Sequence, residues 1–289
     1  MRSALITTLE KTSLEKLAQS WERGFSDYAV KITMPPAVLQ NVLQQNGVRL
    51  DLSIGAFDGD NLVGFWINGV RKIDDVLVAY DSGTAIWPEY RSLGISKLMA
   101  ERSNEILKNA GVRRYVLEVL QDNKRAFEIY KKDGFEVTRE LICFSKKLPF
   151  THNRNLPKDC RIECIPINEE FFRSLPEMEY VPSWQNRMES ALSIGDKLTG
   201  IVATDDSGAL AYAILHKARG RLLQAWFSKK TLGGPIPGAI MANAASNCKN
   251  ISELSIINVS KDASKTCSVF KDLNFSIMAM QYEMKKELG

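Results

Sequence analysis

The 289-residue chain has little that would send it to a membrane, a nucleic acid or an oxidising compartment. Its longest uncharged run, Thr231 to Cys248, is broken by Gly233, Gly234, Pro235 and Pro237, so no membrane helix is expected there. The N-terminus has Arg2 but no adequate apolar region before Glu10, and a signal peptide is not expected. A net charge of +4, with no Lys/Arg run interleaved with aromatics, argues against nucleic acid as a partner. It leaves room for local binding of a polyanion. The five cysteines, Cys143, Cys160, Cys164, Cys248 and Cys267, are odd in number and irregular in spacing. Only His152 and His216 could join Cys160 and Cys164 in a metal site. Reduced core thiols, no metal and a cytoplasmic location are the expectation.

What is present is the composition of a globular protein, 45% hydrophobic and 25% charged, long enough for one large domain or two ordinary ones. The chain is organised around residues 86–109. The uncharged, β-rich run Thr84-Ala85-Ile86-Trp87 stops at Pro88, which cannot donate to a sheet ladder. Arg91-Ser92-Leu93-Gly94-Ile95-Ser96 follows, and then apolar residues at Ile95, Leu98, Met99, Ile106 and Leu107 fall on one helical face. Strand, basic turn and helix start make an anion site: the first N–H groups of a helix lack partners and carry the positive end of its dipole. Gly94 lets the backbone approach closely, and Arg91 adds a fixed charge.

The stretch Trp87-Pro88-Glu89-Tyr90-Arg91-Ser92-Leu93-Gly94-Ile95-Ser96 resembles the acyl-CoA-binding signature R/Q-x-x-G-x-G/A of the GCN5-related N-acetyltransferase (GNAT) family. Ser96 stands where that signature has Gly or Ala. Asn123-Lys124-Arg125-Ala126, followed by Tyr130 and Gly134-Phe135, resembles the same family's N-x-x-A-x-x-x-Y-x-x-x-G-F element at a matching distance. The resemblance covers about residues 1–150. It implies acetyl-CoA as co-substrate, held by Ile86, Trp87, Arg91, Ser92, Leu93, Gly94, Ile95, Ser96, Asn123 and Tyr130.

The order of elements fits that fold, a mixed α/β sheet. Ala4 to Leu9 reads as a strand, and Thr12-Ser13-Leu14-Glu15 is a capping box opening a helix that ends at Gly24. A second helix starts at Pro35-Pro36 and runs to Gly47. Leu50–Phe57 and Leu62–Asn68 form a hairpin across Asp58-Gly59-Asp60-Asn61, and a loop with Arg71, Lys72, Asp74 and Asp75 leads to the strand ending at Ile86. Beyond Gly111 come a strand from Tyr115 to Leu120, a helix from Lys124 to Lys132 and a strand from Val137 to Phe144. Only one strand follows Gly134-Phe135 before Pro149, where the family usually has two. The wall that commonly covers the acceptor is thus short, or comes from elsewhere.

Residues 150–159 read as a linker, separating a first domain, 1–150, from a second, 151–289. The second resembles a decayed copy of the first. A shift of 140 residues lays Trp87 on Phe227, Gly94 on Gly234, Leu117 on Ile257, Val119 on Val259, Phe135 on Phe275 and Leu148 on Leu288. A shift of 147 lays Ala56–Phe65 on Ala203–Tyr212. At the 140 shift Arg91 meets Thr231, Ser96 meets Ile236, Glu118 meets Asn258, Asn123 meets Ala263 and Tyr130 meets Phe270, so the copy has lost the chemistry. Pro235 and Pro237 also lack the amide donors that a phosphate would need.

An amine attacking a thioester must shed a proton, and the departing thiolate takes one up. Tyr130 stands at the family's acid position and is the candidate acid. The interval from Glu118 to Tyr130 resembles that of the ribosomal-protein N-terminal-amine acetyltransferases, which implies Glu118 as base; Asp81 or Tyr80 could replace it. The expectation is direct acetyl transfer from acetyl-CoA to a primary amine on a small molecule or peptide, by a monomer or homodimer. A non-catalytic acyl-CoA-binding or regulatory module is the alternative.

Overall fold

In the computed structural model, residues 4–27, 33–150 and 156–289 are described. Half of the linker expected at 150–159, residues 151–155, lies outside them. The chain divides into two compact units, Met1–Thr138 with Glu283–Gly289, and Arg139–Tyr282. No helix among the described residues is long and apolar enough to cross a membrane.

In the first unit, β1 (Leu5–Thr8) leads to α1 (Leu14–Gly24), whose N-cap Ser13 accepts from the Lys16 amide at 3.2 Å. Leu17, Ala18 and Trp21 bury their faces, and the Trp21 ring stacks on Phe65 with centroids 5.1 Å apart. α2 (Pro36–Asn46) begins with proline and ends at left-handed Gly47. Next come β2 (Ile54–Asp58), β3 (Asn61–Ile73) and β4 (Val76–Ile86), paired antiparallel in sequence, with β1 against β2. The segment around Arg71 is not a loop. Arg71 and Lys72 belong to β3, and Asp74-Asp75, both at positive φ (48° and 63°), make the two-residue turn that right-handed strand twist favours. Leu50–Leu52 is a helical turn rather than part of β2.

α3 (Ile95–Asn109) crosses over to β5 (Arg114–Leu120), which runs parallel to β4. Ile95, Met99 and Leu107 face the core, but Leu98 is exposed, and buried Ser103 shares the inner face. α4 (Lys124–Lys132) follows, capped by Asn123, whose Oδ1 accepts from the Ala126 amide at 3.2 Å. The strand that borders β5 comes from the far end of the sequence. It is the end of β12 (Ser276–Glu287), where the Leu288 amide donates to the Arg113 carbonyl at 2.8 Å. Lys286 there donates to Asn104 Oδ1 (2.8 Å), Asp133 Oδ2 (2.6 Å) and the Asp133 carbonyl (2.9 Å), closing the C-terminus of α4.

The second unit has the same plan. β6 (Glu136–Lys147) contributes Arg139–Lys147, which pair antiparallel with β11 (Glu253–Ser260). β7 (Arg161–Ile165), β8 (Leu198–Asp205), β9 (Gly208–His216) and β10 (Arg221–Phe227) pair antiparallel in turn, and β10 runs parallel to β11. The short helices α5 (Glu169–Ser174) and α6 (Met188–Leu192) cover one face; α7 (Ile236–Ser246) and α8 (Ser264–Asp272) cover the other. Lys146 donates to the Leu273 carbonyl at 2.7 Å, as Lys286 does to Asp133 140 residues later.

The repeat is visible element by element. β2 and β8 end at Asp58 and Asp205, and each carries a register shift at residues 147 apart, Ala56/Phe57 and Ala203/Thr204. α4 and α8, and β6 and β12, are displaced by 140. The turn before α3 is not. α3 starts at Ile95 and α7 at Ile236, a shift of 141, and positive-φ Ser92 (64°) corresponds to Gly233 (72°). Arg91 therefore corresponds to Leu232, Gly94 to Pro235 and Ser96 to Pro237, one residue beyond the sequence alignment. Few identities fix the register there, whereas the backbone conformation does.

Candidate active site

β4 and β5 pair from Val78↔Arg114 to Tyr80↔Val116, and the ladder goes no further. Just beyond, Ser82 bulges out of β4: Asn68 faces Asp81 while Ile67 faces Gly83. The bulge is held on both sides. Asn46 Nδ2 donates to Ser82 Oγ at 2.7 Å, and the Gly83 amide donates to Asp81 Oδ1 at 3.0 Å. Gly83 is required by space, because a Cβ would sit 2.5 Å from the Trp21 ring.

Beside the parted strands lies a cleft of about 450 Å³, lined by Ile86, Arg91, Ser92, Gly94, Ile95, Ser96, Asn123 and Tyr130 among others. Its floor is the start of α3. Gly94, the N-cap, has φ 79° and offers no side chain to the helix, so the first-turn amides keep their donors free of a side-chain cap. A Cβ on Gly94 would meet no atom of the described residues within 4 Å, so among them the space over the turn is open. An uncapped helix start with two left-handed residues, Ser92 and Gly94, suits a phosphate or pyrophosphate. The donor set therefore fits the phosphates of a CoA thioester.

The predicted cofactor residues divide. Trp87 and Leu93 do not line the cleft. The Trp87 ring lies under the Arg23 guanidinium at 4.0 Å, and Leu93 is exposed. Arg91 lines the cleft, but its guanidinium is committed to the turn: Nε donates to the Ile86 carbonyl (2.9 Å), Nη2 to the Gly24 carbonyl (2.8 Å), and both Nη atoms pair with Asp27. The hydrogen bond from Arg91 holds the Asp27 carboxyl below the usual carboxylate range. Arg91 thus ties the anion turn to the end of α1.

Tyr130 stands in the cleft wall, 9% exposed, its ring edge-on to Trp66 and Phe135. Its hydroxyl donates to Asp81 Oδ2 at 2.8 Å. Thr84 Oγ1 donates to the same carboxyl, 2.9 Å from Oδ2. Burial pushes the Asp81 pKa up to about 6 against those hydrogen bonds, and burial beside Asp81 raises the Tyr130 phenol well above its ordinary value. Glu118 is elsewhere. Its Oε2 accepts from the Tyr80 hydroxyl at 2.6 Å. Neighbouring strand residues point to opposite faces, so Tyr80 with Glu118 and Asp81 with Tyr130 lie on the two sides of the sheet. The pairing of Asp81 with Tyr130 was invisible in the sequence. Its one signal in the sequence is that Asp81 is the lone charged residue of β4.

Beneath the wall, Trp66 Nε1 donates to the Tyr115 hydroxyl (2.6 Å), Tyr115 donates to Asn68 Oδ1, and Asn68 Nδ2 donates to the Leu52 carbonyl (2.6 Å) and Ser103 Oγ (2.9 Å). Trp66, Asn68, Tyr115 and Ser103 are fully buried, so this network fixes the wall rigidly. In the second unit Asn258 and Phe270 are buried instead, and Asn258 accepts from Gln281 Nε2 at 2.7 Å. Ala263 begins α8 with no side-chain cap, and Pro235 and Pro237 remove amides from the start of α7.

Residues 14–135 match the model of the acetyltransferase (GNAT) family. This stretch is a GNAT domain. Over 91 residues the chain is 33% identical to mycothiol acetyltransferase of Corynebacterium efficiens, an alignment covering 31% of this chain and 29% of that protein. A second alignment, 33% identical over 87 residues, is to N-alpha-acetyltransferase 30 of Schizosaccharomyces pombe and covers 29% of this chain and 57% of the relative. The chain thus spans well under two thirds of either curated relative. Beyond the GNAT domain the fold carries the likeness. A tandem GNAT protein from the clavulanic acid biosynthesis pathway superposes with TM-score 0.73 at 13% identity, covering 99% of both chains. A GCN5-related N-acetyltransferase from Sphaerobacter thermophilus gives TM-score 0.69 at 10% identity, covering 99% of this chain and 96% of that one. The fold is a tandem of two GNAT-type α/β units, the second without the motif residues of the first.

Proposed function

We propose that the chain is an acetyl-CoA-dependent N-acetyltransferase that moves an acetyl group directly to a primary amine, on a small molecule or a peptide, with 1–150 as the working copy and 151–289 as the degenerate one. The observation that carries this reading is the pairing of an uncapped anion turn at Gly94 with a buried phenol, Tyr130, in the wall of the same cleft. Acetyl-CoA, when bound, supplies the acetyl group as an activated thioester.

The chain supplies the rest. The first-turn amides of α3 hold the anion, and Arg91 keeps the turn in shape. Tyr130 holds the proton that the departing sulfur needs, since a phenol stays protonated at neutral pH. Glu118, held by Tyr80 on the other side of the sheet, takes the proton that the amine must lose through water in the gap where β4 and β5 part; Asp81, on the side of Tyr130, is the alternative base. Direct transfer is supported by the cleft itself, which no cysteine lines among the described residues. Cys143 is buried in β6 with its thiol toward Asn258.

The test is turnover of acetyl-CoA against pooled amines, read by mass spectrometry, on the intact chain and on Arg91→Gln and Tyr130→Phe separately. An enzyme loses turnover in both variants. A non-catalytic acyl-CoA sensor shows no turnover and loses its ligand only with Arg91→Gln.

A further inference from the structure

The second unit keeps a cluster of cations that the acetyl-transfer reading does not use. His216, the last residue of β9, is 6% exposed. Across the ladders it sits directly opposite Arg221 on one side and Leu198 on the other, so all three side chains share one face of the sheet. Arg219 lies in the turn between them, its amide donating to the His216 carbonyl at 3.1 Å.

His216 Nδ1 and Arg221 Nε are buried, and neither has a hydrogen-bond partner among the described residues. The charges acting on His216 come from Arg219 in the turn, Arg221 on β10 and Lys197 ahead of β8, and all are cationic. Burial works against the charges of Arg219 and Arg221 as well. A buried charge without a counter-charge is costly, and a buried N–H without an acceptor adds to that cost. One oxyanion would answer both deficits. Two guanidinium groups whose charges act on one imidazole, Arg221 from directly across the ladder and Arg219 from the turn, match a tetrahedral oxyanion with several acceptor oxygens.

The geometry points to a phosphate-binding site at His216, Arg219 and Arg221, taking a phosphate group that is either free or carried on a small phosphomonoester. Binding draws a proton onto His216. Without the anion, burial first and the neighbouring cations second hold the imidazole down to about 4, so it is neutral at pH 7. A bound dianion favours the imidazolium, whose Nδ1–H then becomes a donor.

The chain has only two histidines, His152 and His216, so imidazole proton NMR of the full-length protein resolves the question. A His152→Asn variant assigns the signals. In chloride, His216 should stay neutral from pH 8 to about pH 5. With about 20 mM inorganic phosphate at matched ionic strength, its midpoint should rise by about one unit or more, equivalent to a tenfold preference of phosphate for the protonated form. Arg221→Gln and the more exposed Arg219→Gln should each remove most of that rise. Should Arg221→Gln not fold, Arg219→Gln decides. Parallel titration with glycerol phosphate assigns the source: a rise with both ligands means a phosphomonoester, and a rise with inorganic phosphate alone means the free anion. A His216 midpoint unmoved by either ligand, or a full rise retained in Arg219→Gln, overturns the site.

Discussion

The Tyr130 hydroxyl donates to Asp81 at 2.8 Å across 49 residues of chain, and both groups are buried in one wall of the cleft. The phenol is therefore aimed before any ligand arrives. Removing the hydroxyl takes away the proposed proton source and leaves the ring between Trp66 and Phe135. Tyr130→Phe should lower kcat by roughly tenfold to a thousandfold with CoA affinity nearly unchanged. Steady-state kinetics beside calorimetry of CoA binding would show it. Loss of affinity equal to the loss of rate would instead make Tyr130 a binding residue.

Asp81 gives a pH signature in stability. Its folded pKa, about 6, lies above the ordinary 3.8, so between those values the folded state holds more protons than the unfolded one. Stability from this group is full below about pH 4, falls as pH rises, and is lost above about pH 6. Asp81→Asn lacks that fall. The stability difference, variant minus wild type, should therefore grow by about 2–3 kcal/mol between pH 4 and pH 7 in denaturant titrations. A difference independent of pH would mean that Asp81 is not held protonated by burial.

Glu118 is tested by the acidic limb of the rate profile. If Glu118, held by Tyr80, is the base, Glu118→Gln should abolish the rise of kcat/KM with pH and lower its plateau about tenfold or more. Full activity with an unaltered profile would transfer the role to Asp81 or to solvent.

One CoA should bind per chain, because the turn at Gly94 is open and its counterpart at Pro235 lacks the amide. Gly94→Ala should weaken binding, since a left-handed φ costs a side-chain residue about 1–2 kcal/mol and the new Cβ enters the open space. Calorimetry giving two equivalent sites would refute it.

How legible all this was in the sequence depended on distance along the chain. Gly47 was readable as a helix end because capping is local, and α4 covers the expected Lys124–Lys132; the capping box at Thr12–Glu15 put the start of α1 within one residue of its actual cap, Ser13, while the capping role of Asn123 was not read. The Arg91–Gly94 turn was readable because strand, turn and helix follow one another within ten residues. Arg91's actual partners, Asp27 and two carbonyls, were not, since any basic residue in such a turn looks ready for an anion. Leu98 was misplaced because an apolar period sets a helix face only to within a residue, and Ser103 took the inner position. The partner of Tyr130 was hidden by its 49-residue separation.

The missing last strand has a related prediction. Lys286 is largely buried with Asp133, so Lys286→Met should destabilise by about 3 kcal/mol by leaving that carboxylate unpaired. Removing Glu283–Gly289 should cost more, read as a lowered denaturation midpoint of the first unit. An unchanged midpoint would show those residues to be dispensable.

That strand also sets the order in which the protein can be made. Lys286 reaches Asn104 across 182 residues, so when a ribosome has delivered the whole GNAT domain, the strand bordering β5 has yet to be synthesised. The nascent domain must wait, its edge open, until residues 283–289 have been made. Folding of the first unit is thereby coupled to synthesis of the second, and a message truncated between residues 139 and 282 yields no finished first unit.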